Sequence, residues 1–199
     1  MIKVYFLYRI FFENTMSGAE FQNRRDRDNG EGLIPRVSQQ ARVNLQREFF
    51  EFRGSDTDLV TAYLNRIGEV NPLVVEYIAS LTNNAPDPNS ANAVAMAGII
   101  VYRLLELEFA QRGKDMPIVQ REVAISLGED IAREEGYFQR LANSLLGENY
   151  EILDTLSNFW LTVASDAPNR EFDHLVIASG LGVYALIKTQ AEIDRLSSL

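Results

Sequence analysis

The single histidine, His174, stands three residues after Glu171 in Glu171-Phe172-Asp173-His174. Glu-x-x-His on a helix is the spacing that di-iron carboxylate bundles use, with two such motifs and two further glutamates closing on the metals. Here no second histidine exists to complete the set. The pair also falls in the first turn after Pro168-Asn169, where acidic side chains are favourable partners of a helix N-terminus. A charged helix start, without metal, is the expectation. A serine nucleophile would need His174 as its base, and that histidine sits in no nucleophile motif. The absence of cysteine removes thiolate metal sites, cysteine nucleophiles and disulfides. Glu106 and Glu108 are two apart and point different ways on a helix, and Glu134/Glu135 read as a charged face. No glycine-rich phosphate loop follows a strand. The chain is therefore expected to be non-enzymatic and to carry no cofactor.

Cationic chemistry is the second candidate. Arginine outnumbers lysine heavily, the only lysines being Lys3, Lys114 and Lys188. Arg24 and Arg25 lie in a polar arm, Arg24-Arg25-Asp26-Arg27-Asp28-Asn29-Gly30-Glu31, whose acidic residues largely cancel them. Arg36, Arg42, Arg47 and Arg53 make the first helix the most basic in the chain, and these six arginines are the candidate phosphate contacts. Against them stands a net charge of −9, which disfavours a general nucleic-acid surface because phosphate affinity rests on clustered cations. A helix-turn-helix reading of Arg121–Leu141, with Ala124 and Gly128 at the turn, fails similarly. The helix that would enter the groove carries Glu129, Asp130, Glu134 and Glu135.

The elements that would position any site centre on an internal echo. Ala85–Ala110 matches Ala167–Glu192, 82 residues on, at Ala85/Ala167, Pro86/Pro168, Gly98/Gly180, Val101/Val183 and Tyr102/Tyr184. Both copies crowd small residues mid-helix, where glycine costs about 1 kcal/mol relative to alanine. That cost is usually offset by another helix approaching the backbone. Gly98, Tyr102, Gly180, Gly182 and Tyr184 are accordingly the helix-packing candidates, or the lining of a pocket between the repeats. The expectation is two copies of a three-helix unit, residues 56–113 and 138–195, related by an approximate two-fold.

Apolar residues recur with helical spacing along the rest of the chain. Val37, Ala41, Leu45, Phe49 and Phe52 place a first helix over Pro35–Arg53, and Ser55-Asp56 opens a second. Asn71-Pro72 breaks the chain before a third, and Ser90 is expected to cap the long helix that ends near Gly113. A helical stretch from Ile118 towards Leu146 offers breaks at Gly128 or Gly136. Helices over Tyr150–Ala164 and Glu171–Leu196 follow. No run after residue 33 alternates like a strand, so the fold is all-α, a bundle of seven or eight helices. Residues 33–199 form one helical domain, preceded by residues 1–32 as an N-terminal segment and arm. Met16-Ser17-Gly18 resembles a natural start, which leaves residues 1–15 open to a reading as upstream sequence.

No apolar run reaches the roughly 20 residues a membrane-spanning helix needs. A cytoplasmic, acidic helical protein that works through surfaces is the leading expectation: a scaffold, adaptor or assembly subunit prone to self-association. Two alternatives stand beside it. One is a nucleoprotein subunit gripping nucleic acid through the arginine-rich helix and arm, and the other a ligand-binding protein or enzyme with its pocket between the repeats.

Overall fold

A computed structural model describes residues 34–49, 57–134, 136–164 and 173–198, for 161–164 the backbone alone. These residues belong to one compact unit, Leu33–Leu199. Among them are eight helices and no strand: α1 Gln39–Glu48, α2 Thr57–Val70, α3 Pro72–Thr82, α4 Pro88–Gln111, α5 Arg121–Arg133, α6 Tyr137–Glu148, α7 Tyr150–Ala164 and α8 Asp173–Ser197. The all-α helical bundle is what the spacing of apolar residues requires. No helix among the described residues is long and apolar enough to cross a membrane.

Two helices form the axis of the bundle. α4 and α8, of 24 and 25 residues, are buried all round their middle stretches, from Asn92 to Leu105 and from Leu175 to Ile187. A helix apolar on every side belongs in a core rather than on its edge. Their mutual contact is the most extensive between any two described elements, and α3 and α7 each touch both of them. The remaining helices are amphipathic and flank this pair. α1 and α2 lie on α4, and α5 and α6 on α8.

Local chemistry sets the boundaries. Pro88 occupies the first turn of α4, and Asp87, not Ser90, caps it: its carboxylate accepts from the Asn89 and Ser90 amides at 2.9 and 3.1 Å. Ser90 instead donates its hydroxyl to Asp87 at 2.6 Å. The stretch after Ile118 divides at Gly136, whose φ of 89° is left-handed backbone that glycine adopts without cost, whereas Gly128 stays inside α5. α1 begins at Gln39 rather than Pro35. Ser38 caps it, accepting from the Ala41 amide at 3.1 Å, and Pro35 and Val37 are bonded to another part of the chain. Residues 1–32 and Arg53 lie outside the described residues, as does Glu171.

Candidate functional site

The glycines of the central pair are in close contact with other side chains. A Cβ on Gly98 would lie 2.7 Å from the Ser179 hydroxyl and 2.8 Å from Ile78. On Gly180 it would lie 2.6 Å from Leu156, and on Gly182 it would overlap the Tyr77 ring. Tyr77 donates its hydroxyl to the Ala178 carbonyl at 2.8 Å, one turn before Gly182 on α8. The space beside these three glycines is thus filled by α3, α7 and the opposing central helix. The sequence candidates Gly98, Gly180 and Gly182 are separate packing positions on different faces, each admitting a neighbour that a side chain would displace.

Tyr102 and Tyr184, also singled out by the echo, are both buried, and each reaches a junction between two outer helices. The Tyr102 hydroxyl accepts from the Asn71 amide nitrogen at 3.0 Å. Tyr184 bonds to the carboxylate of Glu148, which also holds Lys188 at 2.6 Å and Ser144 at 2.7 Å. Burial pushes both phenols above the usual tyrosine range, with the Glu148 charge adding to the effect at Tyr184. Neither tyrosine is poised to act as a base or nucleophile near neutral pH.

Two asparagines that sequence reasoning passed over organise the periphery. Asn71 is the single residue between α2 and α3, and Asn149 the single residue between α6 and α7; both are fully buried. Asn71 accepts the Val119 amide at 2.8 Å through its side-chain oxygen and donates to the Pro117 carbonyl at 3.1 Å. Asn149 accepts the Val37 amide at 3.1 Å and donates to the Pro35 carbonyl at 3.1 Å. Each therefore holds a non-helical Pro-x-Val segment by both backbone groups, just ahead of a helix. The next residue is held alike on both sides: the Ser38 amide donates to Glu108 of α4 at 2.8 Å, and the Gln120 amide to Gln190 of α8 at 2.9 Å. A signal was present in the sequence, in Pro35-x-Val37 against Pro117-x-Val119 and in Gly68-Glu69-Val70-Asn71 against Gly147-Glu148-Asn149. The two asparagines are 78 residues apart, so the spacing of 82 seen at Gly98/Gly180 does not run through the α2–α3 and α6–α7 junctions.

A charged network ties α1, α2 and α4. The buried Arg103 forks onto Glu48, with 3.0 and 2.9 Å contacts, and also pairs with Glu106. Tyr63 donates to Glu48 at 2.6 Å. Burial works to raise the Glu48 carboxyl, but the bonds from Arg103 and Tyr63 and the Arg103 and Arg66 charges outweigh it and hold it below the usual range. Tyr63 is pushed up to about 12 by burial and by its bond to the Glu48 carboxylate.

Three of the six arginines read as candidate phosphate contacts, Arg36, Arg42 and Arg47, lie among the described residues. Arg42 pairs with Asp154 of α7, and the Arg36 carbonyl accepts from Arg112 at 3.1 Å. Arg47 is exposed in the last turn of α1, and Arg24, Arg25 and Arg53 lie outside the described residues. His174 is exposed at the start of α8. Among the described residues no cluster of three or more His, Asp or Glu could hold a metal ion. No family model matches the chain, and neither do the curated proteins or solved structures compared with it.

Proposed function

We propose that the chain is a non-enzymatic helical interaction protein that works by self-association, through the surface around the Asn71 clamp. One observation carries this reading. Beside that clamp Val70 is 48% exposed and Ile118 60%, and further along α8 from the Gln190 that holds Gln120, Ile193 is 39% and Leu196 66% exposed. At the Asn149 clamp the positions with the same relation to the asparagine, the Pro-x-Val segment and the residue holding the helix start are Glu148, Arg36 and Gln111. The same local construction thus tolerates polar side chains there, and folding does not call for Val70, Ile118 and Ile193. Isolated exposed apolar residues are ordinary, but several around one structural feature mark a contact surface.

A second copy of the chain fits this surface by charge. Exposed Arg121 and Glu122 of α5 and Asp194 and Arg195 of α8 flank the apolar residues, each helix carrying both signs. A two-fold contact that sets α5 of one copy against α8 of the other pairs Arg121 with Asp194 and Glu122 with Arg195. The bond between Gln120 and Gln190 holds the start of α5 beside α8 within each copy. Size exclusion with light scattering tests the reading. The full chain should have twice its own mass at micromolar concentration, and Ile118→Glu combined with Leu196→Glu should return it to a monomer with unchanged helical circular dichroism. A wild-type monomer at about 100 μM, weaker than the micromolar affinities expected of a specific contact, would sink the proposal. So would a dimer indifferent to both substitutions.

A further inference from the structure

We infer that residues 34–112 and 117–197 are two four-helix units of one plan, each presenting a docking surface whose partner is the other unit. The observation behind this is reciprocity. Asn71, of the first unit, captures Pro117 and Val119 at the entrance of the second, and Asn149, of the second, captures Pro35 and Val37 at the entrance of the first. Two bundles that merely lay side by side would each tie down their own entrance. Here the bonds cross in both directions, as a two-fold relation between the units demands: if residue i of one meets j of the other, then j meets i.

The correspondence continues along the chain. The element order α1–α2–α3–α4 repeats as α5–α6–α7–α8, with a one-residue break at the same place in each half. Ala41 and Leu45 of α1 answer to Val123 and Leu127 of α5, all buried. Ile78 abuts Gly98 in the first half as Leu156 abuts Gly180 in the second. The units therefore begin one helix earlier than the echo at residues 56–113 and 138–195 suggests. The matched residues are 82 apart at the entrances and on the central helices, and 78 apart around the asparagines.

Each clamp bonds only the backbone of its Pro-x-Val segment, so the side chain between proline and valine is free to differ, as Arg36 and Ile118 do. A surface that reads backbone in this way accepts either unit's entrance. The docking inference does not rest on self-association of whole chains, which involves the outward face.

Hydrogen exchange on the full chain tests reciprocity. In Asn71→Ala the Val119 amide should lose protection by about tenfold or more while Val37 is unchanged, and Asn149→Ala should do the reverse. If either substitution loosens the entrance of its own unit, or both entrances equally, the inference falls. Should the alanine variants not fold, Asn71→Asp and Asn149→Asp keep the acceptor and remove the donor, and the same crossed pattern is expected at smaller amplitude. Ile118→Arg with Gln120→Ser writes the first entrance, Pro-Arg-Val-Ser, into the second unit. Retained Val119 protection supports interchangeable entrances, and its loss overturns them. A protease site inserted between Gly113 and Lys114, both exposed, gives the last check. The nicked chain should elute as one species with its helicity intact, and separation into two species would show that the surfaces do not hold the units together.

Discussion

Tyr77 lies against Gly182: the phenol ring occupies the position a side chain would take, and its hydroxyl reaches the Ala178 carbonyl one turn earlier on α8. This contact fixes α3 to the face of a central helix. The glycine is needed for space, since the backbone there is ordinary α-helix. A methyl group at residue 182 has to displace an aromatic ring that is tied to α8 by its hydroxyl. Gly182→Ala should therefore cost about 3 kcal/mol, the upper part of the range for overpacked cores, even after the gain of about 1 kcal/mol that alanine brings to a helix. Urea unfolding would measure it. Tyr77→Phe should cost only about 1 kcal/mol, the net worth of one hydrogen bond. In a Tyr77→Ala background the Gly182→Ala penalty should nearly vanish, and a penalty that persists would mean the ring is not what the glycine makes room for.

Much of this packing was legible in the residues. Small side chains crowded mid-helix in Ala93–Gly98 and Ala178–Gly182 point to a close crossing, and α4 and α8 do make the most extensive contact among the described helices. Apolar periodicity likewise places the helices, because a buried stripe follows from sequence spacing alone. The clamps were not legible in the same way. Asn71 finds Val119 across 48 positions and Asn149 finds Val37 across 112, and both act on backbone groups that no side-chain pattern announces. The same bonds explain why Pro35–Ser38 is not helical although proline is a good first residue for a helix: tertiary hydrogen bonds override the local preference. The Arg103 fork was also hidden, since a charged residue inside an apolar helix reads as part of a polar face until its partner on α1 is placed beside it.

The α4–α8 crossing allows a second prediction. The Ser179 hydroxyl is fully buried, points at Gly98 and has no hydrogen-bond partner among the described residues. A buried polar group without a partner costs about 1–3 kcal/mol. Ser179→Ala, which keeps the Cβ and removes only the hydroxyl, should leave stability unchanged or raise it by about 1 kcal/mol. Gly98→Ala should lower it by about 1–3 kcal/mol, because both the hydroxyl and Ile78 stand in the way. The penalty should shrink when Gly98→Ala is combined with Ser179→Gly. Equal penalties in the two backgrounds would show that Ile78 alone sets the limit.

Stability should fall at both ends of the pH scale through one cluster. The Glu48 carboxyl titrates lower in the folded chain than when exposed, so its contribution is full above the unfolded value near 4.3 and is lost as pH falls through the depressed folded value. Tyr63 is shifted the other way: its contribution is full below the unfolded value near 10 and disappears as pH rises through about 12. Denaturant unfolding from pH 2 to 12 should show both limbs. In Glu48→Gln the acid limb should shallow and the alkaline one should move with it, because the carboxylate raises the tyrosine. Tyr63→Phe should remove the part of the alkaline limb above pH 10 and leave the acid limb largely in place. An alkaline limb unmoved by Tyr63→Phe would assign it to Tyr102, Tyr77 or Tyr184 instead.

Gly128 decides between two descriptions of Arg121–Leu141. As the turn of a helix-turn-helix it would need a backbone that resists substitution. In the structure it lies in the middle of α5 with helical geometry, is exposed, and has no atom within 4 Å of the position a Cβ would take. Gly147, near the end of α6, is equally open. Alanine should be favourable by about 0.5–1 kcal/mol at Gly128, in a helix interior, and by about half that or less at Gly147 in the last turn, from backbone entropy alone. The two changes are on different helices and share no partner, so their increments should add, to about 1 kcal/mol. Thermal unfolding of Gly128→Ala, Gly147→Ala and the double variant would measure the increments. A loss of stability at Gly128→Ala would mean that α5 breaks there and would restore the turn, whereas a gain requires the helix to run through.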